Sequence, residues 1–121
     1  AALAVLNSDR FVSASYDGTT KLWDLTTRAL VRTFGGHTME VLGVDRIDDN
    51  KIVTASADRT AKVFHLKTGE CLGTTDHPGL VECIAVSPNG KFFLTGCSDG
   101  IIRSWNSSNF KMEQLWNNNH P

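Results

Sequence analysis

The chain has 121 residues, 40% hydrophobic and 21% charged, a balance that fits one globular domain and excludes a disordered or membrane-embedded segment. Twelve basic and thirteen acidic side chains leave a formal charge of -1, too little positive charge for a long phosphate-tracking surface. No apolar run approaches the roughly 18 residues that cross a bilayer, and the apolar opening Ala1 to Leu6 lacks the basic flank of a secretory signal.

In chain order, Phe11-Val-Ser-Ala-Ser-Tyr-Asp-Gly-Thr-Thr-Lys-Leu-Trp23-Asp24 comes first. It returns 41 residues later as Ile52-Val-Thr-Ala-Ser-Ala-Asp-Arg-Thr-Ala-Lys-Val-Phe64-His65. After another 41 it is Phe93-Leu-Thr-Gly-Cys-Ser-Asp-Gly-Ile-Ile-Arg-Ser-Trp105-Asn106. A fixed period of this length marks a repeat architecture. Four short strands are predicted per repeat. In the second they are Val41 to Ile47, Lys51 to Ser56, Ala61 to His65 and Cys71 to Thr74, parted by the turn clusters Asp48-Asp49-Asn50, Asp58-Arg59-Thr60 and Thr68-Gly69. Ser87-Pro88-Asn89-Gly90 and Asp99-Gly100 serve as turns in the third. No stretch carries a helical apolar stripe, so the chain reads as all-β.

The cysteines Cys71, Cys83 and Cys97 are odd in number and hold no CxxC pair. A disulfide framework or zinc site needs another pattern, so they read as small buried residues in a reducing compartment, the cytosol or nucleus. The four histidines form no HxH or HxxxH pair, and Gly35-Gly36 lacks the Lys and helix of a phosphate loop. No metal, cofactor or nucleic acid is expected.

With period, strands and turns in place, the sequence resembles the WD-repeat family, whose signature is a GH near the start and a WD at the end of repeats of about 40–45 residues. Gly36-His37 and Trp23-Asp24 match it. Asp76-His77, Phe64-His65 and Trp105-Asn106 are degraded copies, and Asn119-His120-Pro121 echoes Asp76-His77-Pro78. The resemblance implies a β-propeller segment of three four-stranded antiparallel blades (residues 1–36, 37–76 and 77–121) within a larger, seven-bladed ring. It also implies a structural hydrogen-bonded tetrad in each blade. In the third these are His77, Thr95, Asp99 and Trp105. In the second, His37, Thr54 and Asp58 are joined by Phe64 where a Trp should donate its indole N–H. In the first, Ser13, Asp17 and Trp23 remain, and the His falls before residue 1.

Propellers close with about four to eight blades, so three leave two bare apolar faces with no capping unit in view. The chain then reads as part of a longer propeller, or as a unit whose copies complete one ring. A His, an Asp and a hydroxyl per blade suggest a nucleophilic triad, yet a constellation copied in consecutive repeats, twice on a strand Thr, is what structure requires; no catalytic residue is expected. Lys21, Lys62 and Arg103, two before the WD position, read as a solvated blade edge. Some WD proteins that act as substrate receptors of ubiquitin ligases carry Arg two after the WD Asp; Thr26, Lys67 and Ser108 stand there, so that role has no support. The remaining function is protein binding, through a scaffold alone or a propeller appended to a catalytic domain. The resemblance places partner contacts at Tyr16, Glu40, Leu42, Ala57, Leu80, Glu82 and Ser98, with Tyr16, an aromatic with a polar tip, the foremost anchor. Partners would be other proteins, further blades or copies of the chain, and no membrane.

Overall fold

The structure is a computed structural model that describes residues 2–118. Its twelve strands form three four-stranded antiparallel sheets and no helix among the described residues. The first blade holds β1 (Leu3–Val5), β2 (Arg10–Ala14), β3 (Thr20–Asp24) and β4 (Leu30–Phe34). The second holds β5 (Val41–Arg46), β6 (Lys51–Ser56), β7 (Thr60–His65) and β8 (Cys71–Asp76). The third holds β9 (Val81–Val86), β10 (Phe92–Cys97), β11 (Ile101–Asn106) and β12 (Met112–Asn117). Strands follow one another in sequence order within each sheet, the meander that short turns enforce.

The 41-residue step is also a step in space. Ser13 pairs with Lys21, Thr54 with Lys62 and Thr95 with Arg103. A bulge interrupts the pairing to the outermost strand between Leu22 and Trp23, Val63 and Phe64, and Ser104 and Trp105. Positive φ recurs at Gly18, Arg59 and Gly100 in one turn and at Arg28, Gly69 and Phe110 in another. The repeated Asp fixes the first of these turns by accepting the N–H two residues on, from Thr19, Thr60 or Ile101, at 2.9 Å each.

Strand alternation sends the second blade's side chains to both sides. Val44, Ile52 and Phe64 join Val12, Leu22 and Phe34 of the first blade in one core cluster. Val53, Ala61 and Val63 face the third blade and pack with Phe93 and Trp105. Polar ties cross both junctions: the Val41 N–H donates to the Ser15 carbonyl at 2.9 Å, and the Val86 N–H to Asp45 Oδ2 at 2.8 Å.

The expectation of buried cysteines holds for Cys97 alone; Cys71 and Cys83 are exposed. Cys71 sits on an outermost strand, and Cys83 lies on the side of the third blade turned away from the second, beside Leu94 and Ile102.

Candidate functional site

The turns β2–β3, β6–β7 and β10–β11, together with the connections from one blade to the next, share one rim of the sheets. The Ala57 N–H donates to the Glu40 carbonyl and the Ser98 N–H to the Leu80 carbonyl, each at 2.9 Å, so each hairpin turn is tied to the entry of its blade's first strand. Leu42 and Glu82 are the extra residues of bulges in β5 and β9, between Val41 and Gly43 and between Val81 and Cys83. A bulge re-aims side chains at a sheet end.

The structure therefore gathers the seven predicted contact positions on this rim. Tyr16 is 83% exposed; Glu40, Leu80, Glu82 and Ser98 are exposed, while Leu42 and Ala57 are half-buried. Tyr16, Glu40 and Leu42 share a shallow depression of about 240 Å³ between the first and second blades. Ser98 is less available than its exposure suggests, because its Oγ accepts the Leu80 N–H at 2.9 Å and crowds Gly79. The same rim carries Met39, 55% exposed, whose carbonyl lies near Gly18. Sequence reasoning passed over Met39, although a methionine just after His37-Thr38 was the available signal.

Behind the rim lie the repeated polar groups. In the second blade His37 Nδ1 is 2.9 Å from Asp58 Oδ2, and Nε2 is 2.6 Å from Thr54 Oγ1. Burial works to raise the Asp58 carboxyl, but hydrogen bonds from Thr60 and His37 outweigh it and hold the group at about 2. Burial, against the pull of Asp58, also lowers the His37 pKa. A carboxylate only accepts, so Nδ1 donates to it; a neutral ring then takes the Thr54 hydroxyl proton at Nε2. Phe64 stacks edge-on to His37 with centroids 6.4 Å apart and supplies packing where no N–H is offered.

In the third blade the Trp105 indole N–H donates to Thr95 Oγ1 at 2.9 Å, and that hydroxyl meets His77 Nε2 at 2.8 Å. His77 Nδ1 is buried without a hydrogen bond of full geometry among the described residues. Asp99 is instead clasped by Arg103, at 2.7 and 3.4 Å, which holds its carboxyl well below the usual range and raises the guanidinium. In the first blade Trp23 donates to Ser13 Oγ at 3.0 Å. Asp17 takes the Thr19 hydroxyl at 2.6 Å and backbone N–H at 2.9 Å, and these bonds lower it to about 2.

This arrangement braces neighbouring strands. The hydroxyl-bearing residues Thr54 and Thr95 are fully buried, so no carbonyl could reach them. Among the described residues no cluster of three or more His, Cys, Asp or Glu is placed to hold a metal ion, and no helix is long and apolar enough to cross a membrane. Lys62 donates to Thr74 at 3.2 Å, and Arg103 is engaged by Asp99; with Lys21 they do not form a row of free cations. His65 Nδ1 accepts two turn N–H groups, from Lys67 and Thr68. The echo at His120 lies outside the described residues.

The profile of the WD domain, G-beta repeat, matches residues 2–24, 28–65 and 69–106. Each later match opens on the outermost strand of one blade and closes after the third strand of the next, so consecutive repeats are interlocked through shared sheets. Apoptotic protease-activating factor 1 from Homo sapiens is 36% identical over 116 residues, covering 92% of this chain and 9% of that protein. Ribosome biogenesis protein YTM1 from Coprinopsis cinerea is 29% identical over 115 residues, covering 90% of this chain and 26% of that protein. Eukaryotic translation initiation factor 3 subunit I from Dictyostelium discoideum is 34% identical over 108 residues, covering 77% and 33% respectively. The chain thus spans at most a third of these relatives. With three profile matches laid over three four-stranded sheets, it belongs to the WD-repeat family.

Proposed function

We propose that this chain is a non-catalytic docking segment of an intracellular propeller, and that partner proteins bind the rim carrying Tyr16, Glu40, Leu42, Ala57, Leu80, Glu82 and Ser98. WD repeats serve in general as protein-interaction scaffolds, which supports the broad role. The observation that carries the specific reading is Tyr16: a large aromatic, 83% exposed, beside a depression it shares with Glu40 and Leu42. Folding gains nothing from exposing such a ring, whereas an interface gains a rigid anchor with a polar tip. The relatives named for ribosome biogenesis and translation initiation support the intracellular setting.

The test is a photo-crosslinker at position 16 to capture the partner, followed by titration of that partner against wild type and Tyr16→Ala. A loss of about tenfold or more, near 1.4 kcal/mol, with unchanged melting supports the rim. An unchanged affinity removes it.

A second reading rests on the exposed Leu3 and Val5 of the first blade and Leu115 and Trp116 of the third. These apolar residues favour copies of the chain that complete one ring together. A discrete dimer or trimer by light scattering at two concentrations supports it; a monomer overturns it.

A further inference from the structure

We infer that the opposite rim, at the junction of the first two blades, holds a docking pocket for an acidic peptide that presents one apolar side chain between carboxylates. The pocket encloses about 80 Å³, room for a single side chain. Its apolar lining is Leu6, Leu22 and Leu66, and its charged lining is Arg10, Arg46 and Lys67 with one carboxylate, Asp49. Three cations against one anion leave a local excess of two positive charges, in a chain whose net charge is -1.

The cations are held by backbone that is already fixed. Asn7 Oδ1 accepts the N–H groups of Asp9 and Arg10, at 2.8 and 3.0 Å, and sets the turn that presents Arg10. Arg32 of the first blade donates to the Lys67 carbonyl at 2.6 Å and to the Thr68 carbonyl at 3.3 Å, which pins the turn that presents Lys67. Arg46 spends Nη2 on Asp49 at 2.6 Å, and its buried Nε–H has no partner among the described residues, so its charge is only partly compensated. Asp24, opposite Arg10 across the strand pair, commits Oδ1 to the Thr26 and Thr27 N–H groups, and Arg10 acts on it by charge.

Charge complementarity selects an acidic occupant, and the leucine floor selects a peptide over a nucleic acid. A continuous phosphate strand would run past Asp49 and would find no aromatic platform in the pocket for its bases. A peptide carboxylate can accept two parallel N–H···O bonds in the plane of a guanidinium. This site lies at the other end of the sheets from Tyr16 and is independent of the reading given above.

The probes are fluorescein-labelled heptapeptides with Leu, Ile, Met or Phe between Asp and Glu residues, and matched peptides with Lys in place of each acid. Anisotropy titrations use the full chain. Saturable binding of at least one acidic peptide is expected, weakened about tenfold or more by Lys67→Glu and by Arg10→Glu, both at exposed positions, and reduced by added salt. Tyr16→Ala and the distant Lys91→Glu should leave it unchanged, with all four variants melting as wild type does. The inference is overturned if no acidic peptide saturates, if Lys peptides bind equally, if Lys91→Glu weakens binding as much, or if single-stranded RNA binds more tightly than every peptide.

Discussion

The ring of Phe110 lies over the α-carbon of Gly73 so closely that a methyl group there would meet ring Cγ at 2.7 Å. Gly73 is on the outermost strand of the second blade, and Phe110 is in the last turn of the third, at a backbone φ of 63°. The first junction has the same contact with the sizes exchanged. There Arg32 reaches from the outermost strand, and a side chain at Gly69 would meet its Cδ at 3.3 Å. Arg32 and Gly73 are 41 apart, as are Gly69 and Phe110, so one junction places the bulk on the strand and the next places it in the turn. Gly73→Ala should therefore destabilise by about 1–3 kcal/mol, the range for forcing an extra methyl into a packed site. Combining it with Phe110→Ala should cost less than the sum of the two, because the clash is gone. Urea unfolding of the four proteins checks this; additive costs would mean that the two residues do not share the site.

A second exchange explains Phe64. Its ring packs on Phe34 of the first blade with centroids 5.5 Å apart. The residues 41 positions on are Trp105 and Thr75, so the larger aromatic comes with the smaller strand residue. The sequence alone suggests that Phe64→Trp would complete the second blade's polar set and raise its melting temperature. Packing argues the reverse: Phe64 is 2% exposed, and Trp there would be overpacked against Phe34. Phe64→Trp is expected to lose about 1–3 kcal/mol. The pair with Phe34→Thr should be more stable than the two single effects predict, since Trp then gains both space and the Thr54 hydroxyl as acceptor. A double-mutant cycle with no coupling would overturn this account.

These exchanges mark the limit of what the sequence discloses. The period, the strand count and the turns were legible because each depends on neighbours within a few residues: Asp17-Gly18 and Asp99-Gly100 state their own geometry. The junction pairs join residues thirty or more positions apart, and either member looks ordinary alone. The seven rim positions came from family resemblance, while the bulges that carry Leu42 and Glu82 leave no local mark beyond a 40-residue step between them where the hairpins step by 41. The partner of Asp99 was hidden in a conservative difference. Lys62, a single ammonium, goes to Thr74, whereas the planar fork of Arg103 fits a carboxylate and takes Asp99.

Arg59 offers a test of the repeat itself. It holds φ at 75°, where the matching positions are Gly18 and Gly100. A side chain in that region costs about 1–2 kcal/mol, and glycine returns part of the gain as unfolded-state entropy. Arg59 is exposed and its carbonyl, which accepts the His77 N–H, is retained in any substitution. Arg59→Gly should therefore stabilise by roughly 0.5–1 kcal/mol. A lower urea midpoint for the variant would show that the arginine side chain makes a contribution larger than its backbone strain.

Acid should dismantle the structure in two stages. Burial lowers the pKa of His37, against Asp58, and that of His77, assisted by Arg103. For both, the unfolded chain binds the proton more readily near the ordinary value of 6.5. Stability is thus complete above that pH and falls as the pH drops through it toward the lower folded values. Asp58, held at about 2 against an ordinary 3.8, adds stability that is present above 3.8 and is lost as the pH falls toward 2. The urea midpoint should be level between about pH 7 and 8, decline below about 6.5, and decline again below about 4. His37→Gln should shallow the first decline without abolishing it, since His77 still titrates, and Asp58→Asn should remove part of the second. A midpoint that rises between pH 7 and 5 would mean that the attraction of Asp58 for a protonated His37 exceeds the cost of burying that charge.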